Sequence, residues 1–316
     1  MHKVLSFFVH EGWETNWAKT DNTFYMTNSP ERRDGWKHNE RPIPNNYVHV
    51  DFNVANELAK RGEIDVVVCH TPIEQRKVGE SLKKAYDLPL IEMNHCLPFY
   101  LWKRSTIDSI RRNSIADLHV FTTEQQAVLW GYDPDDEDVH ICGHTVDTDI
   151  FKNRYHGELD AVLSVGYDFK GRGEILGYNT WDMITKGFNR LHIGDGEDET
   201  LATASELAEK YYLENRLFIN TAHHSTLPTS MLEAMACGMP VVSVVGPGND
   251  KIFKNETNGF ISSDPLKLRE YVYKLTSDIA LAHAVGMKGY LLFQELFAPR
   301  VFIDNWNNIF NIATKG

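Results

Sequence analysis

No uninterrupted apolar run reaches the length of about 18 residues that a membrane-spanning helix requires, so no transmembrane segment is expected. Cysteine is scarce: Cys69, Cys96, Cys142 and Cys237 are scattered, with no C-x-x-C spacing. That argues against a disulfide scaffold and a structural zinc site. The apolar or strand-like setting of each predicts buried thiols in a reducing compartment. Positive charge is in deficit, with 32 Lys and Arg against 44 Asp and Glu and a formal net charge of −12. Such a chain has no bulk field for nucleic acid or anionic membrane. Two local basic clusters, Lys103, Arg104, Arg111 and Arg112 and the stretch Glu31 to Lys37, read as solvated helix or loop charge. Also absent are a Gly/Ser-rich tract, a sequence repeat, a G-x-S-x-G elbow and a histidine–carboxylate cluster with metal-ligand spacing. The opening MHKVLSFFVHEGW lacks the long apolar region and small-residue cleavage site of a signal peptide. It reads as a first β-strand, and the expected location is cytoplasmic, or host cytoplasm for a viral source.

What is present is alternation. Short β-branched runs at Lys3–Val9, Thr23–Met26, Tyr47–Val50, Asp65–Cys69, Leu90–Met93, Leu118–Thr122 and Val139–Cys142 are separated by several helical patterns. The pattern restarts with Ala161–Val165, Arg190–Ile193, Arg216–Asn220, Val241–Val245 and Phe260–Ser262. Helices are expected at Ala202–Tyr211, Thr229–Cys237 and Leu266–Leu275, among others, and as two tail helices split near Ala298–Pro299. Alternation of this kind predicts an α/β fold of parallel βαβ units in two halves joined around Asn153–Glu158. The expected domains are 1–152, 159–297 and a terminal helix, 298–316.

The most informative segment begins at Arg216. An apolar strand runs into a turn of histidines and hydroxyls, Pro228 opens a short helix, Gly238 stops it, and a β-branched run follows. A strand–turn–helix–strand unit sets backbone N–H groups and a helix N-terminus at the carboxyl end of a sheet, where α/β proteins hold phosphates. The helix carries one acid, Glu233, among small and apolar residues.

Here the string LPTSMLEAMACGMPVV resembles the C-terminal donor-site motif of retaining glycosyltransferases built on two Rossmann-like domains, the GT-B architecture of glycosyltransferase family 4 and its relatives. Glu233, Ala234, Met235, Ala236, Cys237, Gly238, Pro240, Val241 and Val242 carry the likeness. The resemblance implies that Glu233 binds the ribose of a nucleotide-sugar donor, since a carboxylate accepts hydrogen bonds from vicinal hydroxyls. Eight positions earlier, Ser225 stands where the family has a sugar-contacting glutamate. The sugar pocket is then lined by His223, His224, Ser225 and Thr226, with the amides at Thr229 and Ser230 facing the diphosphate.

VLSVGYDFKGRGEILGYNTW is similar to the family's second donor motif. Aligned on Val165 and Gly166, Tyr167 replaces an arginine, Arg172 takes the position of a diphosphate-gripping lysine, and Lys170 stands nearby to compensate. PLIEMNHCLPF resembles the segment carrying a histidine near the donor sugar, which makes His95 either a hydrogen-bond donor to the sugar or a structural histidine. HEGWETNW occupies the place of the family's glycine-rich first loop, so His10, Glu11 and Gly12 are expected beside the reaction centre on the acceptor side. In GDGEDE, the resemblance puts Gly194 and Asp195 near the nucleotide. The echoes HVFTTEQQAVLWGY, HICGHTVDTDIF and KNETNGFISSDPLKL extend the likeness over most of the chain.

The resemblance implies two facing Rossmann-like domains with a C-terminal helix crossing back to the first. It implies transfer of a hexosyl or pentosyl group from a nucleotide-diphosphate sugar, with retention and without a metal. His95 and Arg172 are the candidate catalytic residues. The nucleotide sugar is a substrate, so no cofactor is expected, and the acceptor is a glycan, a lipid-linked sugar or a modified DNA base. Three alternatives stand beside it: a viral glycosyltransferase of hydroxymethylated DNA bases, a non-catalytic sugar- or nucleotide-binding protein, and a sugar-nucleotide epimerase.

Overall fold

Each expected strand forms within two residues of its anticipated ends, and every pairing among the strands is parallel. The computed structural model describes residues 1–27, 36, 41–70, 73–98, 102–194 and 202–315. The basic stretch from Glu31 and the Asp195 half of GDGEDE therefore lie largely outside the described residues. Two units divide the chain: Met1–Gly143 together with Arg300–Gly316, and His144–Pro299.

In the first unit β1 (Lys3–Phe7), β2 (Thr23–Thr27), β3 (Tyr47–His49), β4 (Val66–Cys69), β5 (Leu90–Asn94), β6 (Leu118–Phe121) and β7 (Val139–Ile141) form one sheet in the order β3-β2-β1-β4-β5-β6-β7. Alternate residues of each strand feed opposite faces. Val4, Val66 and Val68 join one core with Ile91 and Val120, while Leu5, Val67 and Cys69 join another with Leu58 and Leu82. Burial on both faces is why the central strands β1, β4, β5 and β6 read as near-continuous apolar runs. The helix Pro299–Ala313 returns to this unit and lays Phe302, Trp306, Ile309 and Phe310 on the first face. These residues recur at one-helix-face spacing. Each such burial contributes about 1.5–3 kcal/mol, so the tail is part of this core and not an appendage.

The second unit holds β8 (Leu159–Val165), β9 (Arg190–Ile193), β10 (Asn215–Asn220), β11 (Val241–Val244) and β12 (Phe260–Ser262), in the order β12-β11-β10-β8-β9. Its junction with the first unit falls at Gly143–His144, ahead of the expected linker at Asn153–Glu158. That segment is built into the second unit: Phe151 is in its core, the Tyr155 hydroxyl donates to the Arg216 carbonyl at 2.6 Å, and the His156 and Gly157 amides donate to Leu213.

Three local expectations are corrected. HEGWETNW is a helix, Glu11–Ala18, and not a glycine-rich loop. His10 caps it, its Nδ1 accepting from the Trp13 amide at 3.1 Å. The expected helix Ala202–Tyr211 is a short α-turn, Ala204–Glu206, that widens into a π-helix at Leu207–Tyr212. Cys96, just past the end of β5, is exposed, unlike the other three thiols.

The helix Thr229–Cys237 ends at Gly238, with φ of 84°, and the Met239 amide reaches back to the Ala234 carbonyl at 2.9 Å. Helix Ile279–Leu296 packs against this turn so closely that a Cβ on Gly286 would lie 2.1 Å from the Gly238 carbonyl oxygen. A backbone oxygen in a capped turn cannot give way. Gly286→Ala should therefore lose about 1–3 kcal/mol of stability despite its better helix propensity. A thermal midpoint at or above that of the wild type would refute this packing account.

Candidate functional site

The chain leaves β8 toward β9 on one side and then crosses to β10 on the other. That reversal opens a crevice at the carboxyl ends of β8 and β10, the place where open parallel sheets bind ligands. Two loops meet there. The loop after β8 carries Tyr167, Lys170 and Arg172, and the loop after β10 carries His223, His224, Ser225 and Thr226.

Hydrogen bonds to backbone carbonyls join them. The His223 amide donates to the Ile175 carbonyl at 3.0 Å, and the Thr221 hydroxyl donates to Leu176 at 2.9 Å. His223 Nε2 also lies 3.2 Å from the Thr180 hydroxyl. Gly177 makes the approach possible: its φ is 73°, and a Cβ there would sit 2.0 Å from the Thr221 carbonyl oxygen. Only glycine fits such a position.

Arg172 precedes the short helix Gly173–Leu176. It is exposed, and its guanidinium has no polar partner among the described residues. Lys170 is also exposed, and Tyr167 stands 61% exposed. Thr226 is buried, whereas Ser225 is half-buried and His224 exposed. Gly194 follows β9, next to Gly166, whose amide donates to Ile193.

Pro228 is the N-cap of Thr229–Cys237 and offers no side-chain cap. The first-turn amides of Thr229 and Ser230 are thus donors at the positive end of a helix dipole. The hydroxyls of Ser225, Thr229 and Ser230 have no partner among the described residues. One turn further on, Glu233 is half-buried and accepts a hydrogen bond from the Tyr212 hydroxyl at 2.8 Å. Burial first, and the Glu233 carboxylate second, push the Tyr212 hydroxyl well above its ordinary pKa. Tyr212 therefore stays a neutral donor, holding the carboxylate in one orientation. The wide π-turn brings it there, a device often found at functional sites.

A second hidden support is His192 on β9. Its Nε2 lies 3.0 Å from the Gly166 carbonyl and its Nδ1 lies 2.8 Å from the Ser164 hydroxyl. A carbonyl only accepts, so the proton sits on Nε2 and Nδ1 accepts from Ser164. Phe169 stacks flat on the ring at 4.2 Å. The neutral ring thus ties down the start of the loop that carries Arg172.

In the first unit the reversal lies between β1 and β4. His95, directly after β5, has its Nε2 3.0 Å from Nδ1 of His70, which directly follows β4. His70 Nε2 lies 3.0 Å from the Ser6 hydroxyl. Trp13 of the helix Glu11–Ala18 stands edge-on to both imidazoles. His10 is the cap of that helix, Glu11 is buried, and Gly12 lies under the Arg41 guanidinium.

Sequence reasoning missed His70, His192 and Tyr212. A signal existed for His70, which ends an apolar strand in VVVCH much as His95 follows LIEMN. None existed for the other two, whose roles come from strands or turns distant in the chain.

Burial lowers the His192 pKa from 6.5 to about 4, against a raising contribution from the Gly166 carbonyl. The unfolded chain therefore binds a proton near pH 6.5 that the folded chain refuses until about pH 4. Stability attributable to this ring is present above pH 6.5 and falls as pH drops toward 4. His192→Asn should flatten the pH dependence of the unfolding free energy, measured by urea titration, between pH 7.5 and 5, by up to about 1.4 kcal/mol per pH unit. Parallel curves for the two proteins would rule the linkage out.

Comparison with known proteins bears on the fold and on one segment of the sequence. Residues 182–291 match the family described as glycosyl transferases group 1. An uncharacterized glycosyltransferase of Haemophilus influenzae is 27% identical over 124 residues, 33% of this chain and 35% of that protein. The match thus spans about a third of that relative's length. Sucrose-phosphate synthase from Thermosynechococcus elongatus superposes with a TM-score of 0.76 at 13% identity, covering 99% of both chains. The Anabaena protein HepE, solved in complex with UDP-glucose, gives 0.72 at 13% identity, over 99% of this chain and 100% of that one. At such identity these likenesses speak to the fold. Residues 182–291 thus resemble a segment of the group 1 glycosyl transferases, and the chain has the GT-B fold of two Rossmann-like domains.

Proposed function

We propose that the protein is a glycosyltransferase whose second unit holds a nucleotide-diphosphate sugar. One observation carries the proposal: a guanidinium that is exposed and without a partner among the described residues, a helix N-terminus with no side-chain cap and a carboxylate on that helix stand at one edge of one sheet. Arg172 and the amides of Thr229 and Ser230 would meet the diphosphate as it leaves with the bond's electrons, which is electrostatic stabilisation of developing charge. We assign this charge neutralisation to the protein groups without a metal. Glu233, oriented by Tyr212, would accept from the two ribose hydroxyls. Gly194 and Lys170 flank the nucleotide in this reading, and His224, Ser225 and Thr226 face the sugar. His95 is the sugar-contacting candidate of the first unit, and retention is the expected stereochemistry. The HepE complex with UDP-glucose makes UDP-sugars the first donors to try.

A second reading, a non-catalytic nucleotide-sugar binder, draws on Ser225 and the exposed Tyr167, which stand where the resemblance expects a glutamate and an arginine. Donor hydrolysis or transfer above background excludes it.

A panel of nucleoside diphosphates, read by thermal shift, should yield at least one that raises the midpoint by mass action. Calorimetry with that nucleotide should show Arg172→Ala and Glu233→Ala each binding at least about tenfold more weakly, the size of a lost charged hydrogen bond. Tyr212→Phe should weaken binding less. Wild-type affinity in both alanine variants would sink the donor site.

A further inference from the structure

Ser6, His70 and His95 form a chain of contacts in which polarity runs one way. The Val68 carbonyl only accepts, so the Ser6 hydroxyl at 3.0 Å donates to it. Ser6 then accepts from His70 Nε2–H at 3.0 Å. His70 Nδ1 is left as an acceptor, and its partner at 3.0 Å, His95 Nε2, carries the proton. One set of neutral tautomers satisfies all three contacts. A histidine's roles are set by the hydrogen bond made by its other nitrogen.

His70 is held on every side. Its amide donates to Gln75 Oε1 at 2.7 Å, and Gln75 is itself buried. Trp13 and Trp17 stand edge-on to the ring, with centroids 5.7 and 5.3 Å away. Only 5% of His70 is exposed, whereas His95 is half-buried. An embedded imidazole bonded to a more accessible one acts through its neighbour.

We infer that His70 is a positioning residue: its Nδ1 binds the Nε2 proton of His95, fixing the ring plane of His95 and presenting Nδ1 as its acceptor atom. The bearing of this on catalysis rests on the transferase reading; the hydrogen bond does not. Partners that orient a functional imidazole do so by locking one tautomer, and a wrong tautomer disables a site whose geometry is intact.

The test uses the full chain. In long-range 15N–1H spectra of the wild type, His95 should be protonated at Nε2, with that proton protected from exchange. His70→Phe keeps an aromatic ring between the tryptophans but removes the acceptor, so the Nε2 proton of His95 should lose its protection. His70→Asn, which puts an amide oxygen near the place of Nδ1, should restore it. With a donor identified, His70→Phe should lower kcat by about 10- to 100-fold, as loss of an orienting partner does for metal-bound histidines. KM for the donor should stay within about twofold, since the nucleotide is held elsewhere. Asparagine should recover most of kcat. His95 protonated at Nδ1 in the wild type, or unchanged proton protection and kcat in His70→Phe, overturns the assignment. Absence of transfer by the wild type with every donor would instead remove the transferase reading, with the proton measurement still deciding the role of His70.

Discussion

Parallel pairing of a central strand with neighbours reached in opposite directions is the constraint on which the rest of this structure depends. β1 has β2 and β3 on one side and β4 to β7 on the other, and β8 has β9 on one side and β10 to β12 on the other. Because every strand runs the same way, each unit gathers the loops after its strands on one edge, and the reversal of winding sends the connections beyond two of them in opposite directions across a gap. The Arg172 loop and the hydroxyl-rich loop before Thr229 border one such gap. His70 and the His10-capped helix follow the strands that border the other. Antiparallel connections would have sent half of these residues to the opposite edge.

Around each gap, groups suited to a ligand rest on neighbours that fix them. Tyr212 holds Glu233, His192 holds the backbone at Gly166, and His70 holds His95. A hydrogen bond to a charged group contributes about 1.5–3 kcal/mol, enough to select one orientation of a side chain that would otherwise sample several. The supports lie on strands, strand ends or a packed π-turn, so the order of the sheets is passed to the site. Gly177 and Gly286 serve the same end by letting backbones close to distances that a Cβ would forbid.

Much of this was legible in the chain. Strands buried on both faces must be near-continuous apolar runs, and that signal located central strands such as β1, β4, β10 and β11. Gly238 and Pro299 marked a helix end and a helix start through their own backbone preferences. The helix Glu11–Ala18 escaped because it is buried nearly all round, with Trp13, Glu14, Asn16 and Trp17 inside. A helix without a solvent face has no amphipathic period to read. The π-turn escaped for a related reason. Leu207–Tyr212 has the composition of an ordinary helix, and packing of Tyr211 and Tyr212 into the second unit widened it.

Residue type and spacing settled the α/β class and the parallel topology, and they singled out Arg172, Glu233 and Ser225 as candidate donor-side groups, because local propensity and motif chemistry act over a few residues. Partnership was settled by the tertiary structure. Ser6 and His70 are 64 positions apart, Ser164 and His192 are 28 apart, and Tyr212 and Glu233 are 21 apart. No local periodicity encodes such pairs. They exist because strand order and register bring distant side chains within hydrogen-bonding distance, and there burial makes an unmade bond costly enough to hold each pair together.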